Sequence, residues 1–125
     1  MASNQSTKFV AIVDDDESVL SALQDLMEAD GLPALCFGSA EEFLESGLQH
    51  EAACLIVDIR MPGMSGLELQ AKLKAAQSDT PVIFITAHGD ARVRMQAMRE
   101  GAAEFLAKPF DDQVLLNRVR AALDM

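Results

Sequence analysis

Three stretches of the chain are apolar without interruption: Phe9-Val10-Ala11-Ile12-Val13, Cys54-Leu55-Ile56-Val57 and Val82-Ile83-Phe84-Ile85. None alternates with polar residues, so each predicts a strand buried on both faces, as in a parallel sheet. Ala34 to Phe37 and Glu104 to Ala107 are weaker strand candidates. Between the runs the spacing turns helical. Val19, Leu20, Leu23, Leu26 and Met27 form one apolar stripe, and Leu115, Leu116, Val119, Ala122 and Leu123 form another.

Helix boundaries are marked by chemistry. Ser39-Ala-Glu-Glu42 and Ser65-Gly-Leu-Glu68 match the capping box, in which Ser and Glu satisfy each other's backbone donors. Asp90 and Asp111 predict caps for the last two helices, and Gly31 and Gly101 fall where helices should stop. Five strands alternating with five helices predict an α/β fold, a parallel sheet with helices on both faces. The expected strand order is 2-1-3-4-5, a flavodoxin-like (βα)5 three-layer sandwich.

The length of 125 residues allows one domain with a core of its own. Twenty acids against ten bases give a net charge of −10, which disfavours direct binding of nucleic acid or of an anionic membrane by this domain. No apolar run approaches the ~20 residues of a membrane span. The polar start, residues 1–7, predicts a short disordered lead-in and not a signal peptide, with the folded domain over 8–125. Cys36 and Cys54 form no C-x-x-C pair and read as two buried thiols of a cytoplasmic protein.

In open α/β sheets, ligands bind at the carboxyl ends of the strands. There the chain places Asp14-Asp15-Asp16-Glu17 after strand 1, Asp58 at the end of strand 3, Thr86 at the end of strand 4 and Lys108-Pro109 after strand 5. Each has an ordinary explanation alone: an acidic helix start, a turn residue, a β-former, a surface lysine. At one edge of one sheet they suggest more. Clustered carboxylates are relieved by a hard divalent cation such as Mg²⁺, which leaves room for waters and phosphate oxygens. With such a cation, Asp58 can attack a phosphoryl group and form an acyl phosphate, while Lys108 supplies positive charge and Thr86 a hydroxyl donor.

The motifs V-D-D-D-E (13–17), L-I-V-D-I-R-M-P-G-M-S-G (55–66), I-T-A-H-G-D (85–90) and F-L-A-K-P-F (105–110) together resemble those of bacterial response-regulator receiver domains, in their wording the FixJ type of the CheY-like superfamily. The resemblance covers about residues 8 to 123. It implies that Asp58 is the phosphoacceptor for a sensor histidine kinase in a two-component system. It implies a Mg²⁺ site (Mn²⁺ as substitute) made by Asp14, Asp15, Asp58 and the main-chain carbonyl of Arg60. Thr86 and Phe105 take the switch positions, with Phe105 lacking the hydroxyl of a tyrosine. Arg60, Ala87 and His88 take positions that tune the lifetime of the phosphoryl group, and the bond before Pro109 is expected to be cis. The resemblance further implies stoichiometric signalling with self-catalysed phosphorylation and dephosphorylation. It also implies phosphorylation-promoted homodimerisation through Arg92 to Gly101 and Glu104 to Ala107, and a helix-turn-helix output domain beyond this chain, controlling transcription.

Two other readings use the same fold. Asp14-x-Asp16-x-Ser18 resembles the nucleophile motif of haloacid-dehalogenase-type phosphatases, with Asp14 attacking and Asp111-Asp112 serving a later motif. That leaves Asp58 and Lys108-Pro109 without a role. A flavodoxin-like flavin binder needs a neutral phosphate loop after strand 1, where this chain has four acids, and the chain has no Trp or Tyr to stack a flavin.

Overall fold

A computed structural model describes residues 8–87 and 91–123. The element order is β1 (Phe9–Val13), α1 (Glu17–Ala29), β2 (Ala34–Phe37), α2 (Ala40–Glu45), β3 (Ala52–Asp58), α3 (Gly66–Ala75), β4 (Val82–Thr86), α4 (Ala91–Arg99), β5 (Glu104–Ala107) and α5 (Asp112–Leu123). All strand pairs are parallel, and the sheet order is β2-β1-β3-β4-β5. This is the order expected from the sequence.

The uninterrupted apolar runs occupy the three central strands, where side chains on both faces are covered. Every residue of β1 and of β4 is buried. Phe9, Ala11 and Val13 join Leu55, Val57 and Phe84 in a core beneath α2, α3 and α4. Val10 and Ile12 join Ile56, Ile83 and Ile85 in a second core beneath α1 and α5. Connections of one hand demand this split: the step from β1 to β2 runs one way across the sheet, and the steps from β2 through β5 run the other. The two weaker strand candidates are the two edges. An edge strand is covered less completely, which is why Leu35 in β2 is 42% exposed and why these segments carry a weaker apolar pattern.

The helix punctuation follows the expected chemistry with one change. Ser65 and Glu68 form the full reciprocal box at the start of α3. At α2, Ser39 accepts from the Glu42 N–H at 3.0 Å, but the Glu42 carboxylate turns to the Gly38 N–H, also at 3.0 Å. Asp111 caps α5 by accepting from the N–H groups of Gln113 and Val114. Gly31 and Gly101 end α1 and α4 with φ of +78° and +102°, a region that costs a side chain energy. The cap expected at Asp90 and the lead-in over 1–7 lie outside the described residues.

The cysteine expectation needs correction at one position. Cys54 is buried, but Cys36 is only half-buried because it lies on the edge strand β2. Both are free thiols. They lie on strands separated by β1, and two strand spacings of about 4.8 Å each exceed what a disulfide spans.

Candidate functional site

The acidic run after β1 divides by role. Asp16 is the N-cap of α1: its carboxylate accepts from the Ser18 N–H at 2.9 Å and the Ser18 hydroxyl at 2.7 Å. Those hydrogen bonds, the hydroxyl's first, hold the Asp16 carboxyl below the usual carboxylate range. Glu17 follows in the first turn, where the helix dipole favours an acid. Asp14 is instead fully buried, and its Oδ1 accepts the Asp16 N–H at 2.9 Å. Asp15 is exposed at the rim.

Because β1 and β3 are neighbours in register, with Val13 beside Val57, the residues that follow converge. Asp14, Asp15 and Asp58 each offer a carboxylate oxygen, and these oxygens lie within 4.8 Å of one another. Lys108, at the end of β5, reaches in from the other side. Its Nζ stands 3.4 Å from Asp14 Oδ2 and 4.0 Å from Asp58 Oδ2. The Lys108 main chain is tied to β4 by its N–H, which donates to the Thr86 carbonyl at 2.7 Å. Thr86 itself is buried at 2% exposure, and the Lys108–Pro109 bond is cis.

The electrostatics follow from this packing. Asp58 is 9% exposed, and burial pushes its carboxyl above the usual range. The Asp14 charge pushes it further the same way, while Lys108 and the amides of Arg60 and Ile59 pull it back. Among the described residues, three carboxylates therefore share the Lys108 ammonium, which leaves a surplus of negative charge. Hard oxygen donors with surplus negative charge fit a divalent cation of the Mg²⁺ type. The donor set also suits Mn²⁺.

The remaining expected site residues are distributed around this cluster. Arg60 and Ala87 are exposed, each just past the end of its strand. Phe105 is buried at 7% exposure, its ring 6.5 Å from that of Phe84. His88 lies outside the described residues. On α4, Ala97 is buried, whereas Met95 and Met98 are 60% and 40% exposed. Asp111, which the phosphatase reading needs, caps α5, and the acid cluster consists of Asp14, Asp15 and Asp58. A groove of about 760 Å³ opens at the opposite end of the sheet beside Lys8, Pro33, His50 and Pro81.

Two residues that shape the site carry no catalytic signature in sequence. Gly66 opens α3 directly against the Asp58 main chain, where a Cβ would stand 2.4 Å from the Asp58 carbonyl oxygen. Glu41 on α2 reaches across to the loop between β3 and α3, accepting the Met64 N–H at 2.9 Å. A glycine directly after an N-cap serine is a signal of close backbone approach that could have found the first. Nothing local marks the second.

Comparison with known proteins agrees with this architecture. The model of the response regulator receiver domain family matches residues 10–120. Nodulation protein W of Bradyrhizobium diazoefficiens is 45% identical over 120 residues, covering 95% of this chain and 53% of that protein. The transcriptional regulatory protein FixJ of Azorhizobium caulinodans is 44% identical over 114 residues, covering 91% of this chain and 54% of that one. The chain thus spans about half the length of these relatives. The crystal structure of FixJ-N superposes with a TM-score of 0.85 at 36% identity, covering 97% of this chain and 96% of that one. With the sheet order, the acid cluster at its carboxyl edge and these matches in agreement, the chain belongs to the response regulator receiver domain family.

Proposed function

We propose that the domain is a phosphoacceptor switch in which Asp58 takes a phosphoryl group from the phosphohistidine of a sensor kinase. The observation that carries this reading is the convergence of Asp14, Asp15 and Asp58 within 4.8 Å, with Lys108 between Asp14 and Asp58. A Asp58 carboxylate oxygen attacks phosphorus, the P–N bond to the kinase histidine breaks, and the leaving imidazole nitrogen keeps the electron pair and takes a proton. Asp14, Asp15, Asp58 and the Arg60 carbonyl hold Mg²⁺, which when bound screens the negative charge of nucleophile and phosphoryl oxygens. Lys108 supplies the fixed positive charge on the opposite side. The Thr86 hydroxyl hydrogen-bonds the transferred group, and Phe105 carries the change to the face formed by α4, β5 and α5.

Arg60, two residues past Asp58 in the sequence, and Ala87 and His88, one and two past Thr86, set how fast water reaches the acyl phosphate. The α4–β5 face, with Met95 and Met98 exposed on α4, is the surface on which two phosphorylated copies associate. The names of these relatives, a nodulation protein and a transcriptional regulatory protein, support transcription as the output. The reaction is stoichiometric signalling by a cytoplasmic protein, reversed by the domain's own hydrolysis of the acyl phosphate.

Acetyl phosphate with MgCl₂ tests the reading directly. The protein should gain one phosphoryl group by intact mass, and Asp58→Asn should gain none. Full labelling of Asp58→Asn, or labelling of Asp14, would overturn it.

A further inference from the structure

The loop between β3 and α3 connects Asp58 to the Ser65 cap and carries the Arg60 main chain. Its root is fastened locally. Ile59 N–H donates to the Ile85 carbonyl at 3.3 Å, Gly66 N–H donates to the Ile59 carbonyl at 2.8 Å, and Ile59 and Met61 are buried in the core. Its tip is different. Pro62 and Gly63 are exposed, and Gly63 adopts φ of +76°. There the loop meets a side chain from another element, 23 residues away in sequence: Glu41 in the first turn of α2.

The contact is close and two-sided. Glu41 Oε2 accepts the Met64 N–H at 2.9 Å, and a Cβ on Gly63 would stand only 2.6 Å from that same oxygen. The carboxylate therefore lies flush on the Gly63 Cα while it binds the next amide. An ionised acceptor makes this hydrogen bond stronger than a neutral one. Among the described residues no lysine or arginine forms an ion pair with Glu41. Its chemistry is thus spent on the loop.

We propose that Glu41 is a positioning residue for the metal and phosphoryl site: it clamps the tip of the β3–α3 loop from α2 and so holds the Arg60 carbonyl in line with Asp14 and Asp58. This rests on the reading of Asp58 and Arg60 given above. With its tip free, the loop that carries the Arg60 carbonyl keeps motion that its fastened root alone does not remove, and metal affinity falls by the cost of ordering it at each binding event. Partners that orient a ligand from outside the coordination sphere set metal affinity in this way. Glu41 also joins α2 to the site, which no other named site residue does.

The test compares wild type, Glu41→Gln and Glu41→Ala by NMR titration with MgCl₂, without any phosphodonor, and by thermal unfolding with and without MgCl₂. Glutamine keeps an acceptor oxygen and so rescues the clamp. In Glu41→Ala the Met64 amide should lose its hydrogen-bonded shift, Mg²⁺ affinity should fall about tenfold, and the rise in melting temperature that MgCl₂ produces should shrink. Glu41→Gln should stay within about twofold of wild type, given the retained acceptor. A purely structural role would lower the melting temperature equally with and without Mg²⁺, and that result overturns the proposal. So does unchanged Mg²⁺ affinity in Glu41→Ala, or an equal loss in Glu41→Gln. Wild-type protein that binds no Mg²⁺ would instead remove the metal site itself, and with it Glu41's part.

Discussion

Gly66 and Asp58 touch through their main chains: a Cβ on Gly66 would lie 2.4 Å from the Asp58 carbonyl oxygen and 3.1 Å from its carbonyl carbon. The obstacle is backbone, which cannot rotate aside. Gly66→Ala must therefore push α3 away from the end of β3 and shift Asp58 with it. Overpacking of this kind costs about 1–3 kcal/mol. Urea unfolding should show that loss, and acetyl phosphate should label the variant more slowly. A stability within about 0.5 kcal/mol of wild type, the range of an ordinary surface change, together with unchanged labelling, would mean that the contact yields freely.

Asp58 opposes folding when no cation is bound. It is buried beside Asp14, and both burial and the Asp14 charge raise its carboxyl above the usual range. Asp58→Asn removes a buried charge at nearly constant shape. In the absence of divalent cations it should be more stable than wild type, because it no longer carries a buried charge beside Asp14. MgCl₂ should raise the melting temperature of wild type more than that of the variant, because the variant has lost a ligand. Equal increments in calorimetry would remove Asp58 from the metal site.

Gln70 is a buried polar residue whose hydrogen bond is dispensable. It is 5% exposed; its Nε2 donates to the Ala97 carbonyl at 3.1 Å, and its Oε1 has no partner among the described residues. The Ala97 carbonyl also accepts the Ala102 N–H at 3.0 Å, so it is not orphaned when Gln70 is replaced. Gln70→Met fills the same space and removes the unsatisfied oxygen. It should be within about 1 kcal/mol of wild type or more stable. Leu69→Ala, one residue earlier at 1% exposure, should lose about 2–5 kcal/mol. A loss for Gln70→Met as large as for Leu69→Ala would show that the bridge from α3 to α4 matters more than its geometry implies.

The two thiols should differ in reactivity. Burial pushes Cys54 up to about 12, while Cys36 is raised by burial and then by the Glu28 charge. Native protein at mildly alkaline pH should react with a thiol reagent slowly at Cys36 and at Cys54 only on unfolding. There is also a pH consequence. An unfolded thiol loses its proton near pH 8.5, but folded Cys54 keeps its proton until about 12. Above pH 8.5 the unfolded state thus binds fewer protons, and stability falls as pH rises through that window. The urea midpoint of wild type should drop more between pH 8 and pH 10 than that of Cys54→Ala. Parallel drops would assign the alkaline loss to other groups.

Much of this molecule is readable along the chain. The three central strands announce themselves as uninterrupted apolar runs because both their faces are covered. The chain turns at the ends of those runs, so Asp14, Asp58 and Thr86 are found at strand termini by position alone. Ser65, Glu68 and Asp111 name helix starts because a cap bonds to amides two or three residues away. All of these are interactions of short range, and short range is what a sequence pattern records.

What only the tertiary structure decided are the contacts between elements. Four consecutive acids look alike in sequence, yet Asp14 is buried in the cluster, Asp15 stands at its rim, Asp16 caps α1 and Glu17 opens that helix. Cys36 is half-buried because β2 proved to be an edge. Glu41 reaches Met64 across 23 residues, and Gly66 is needed because α3 begins against the backbone of Asp58. Periodicity tells which face of an element is apolar. It carries no information about which carboxylate turns inward or which amide lies opposite it, because those depend on distances that exist only once the helices have packed on the sheet.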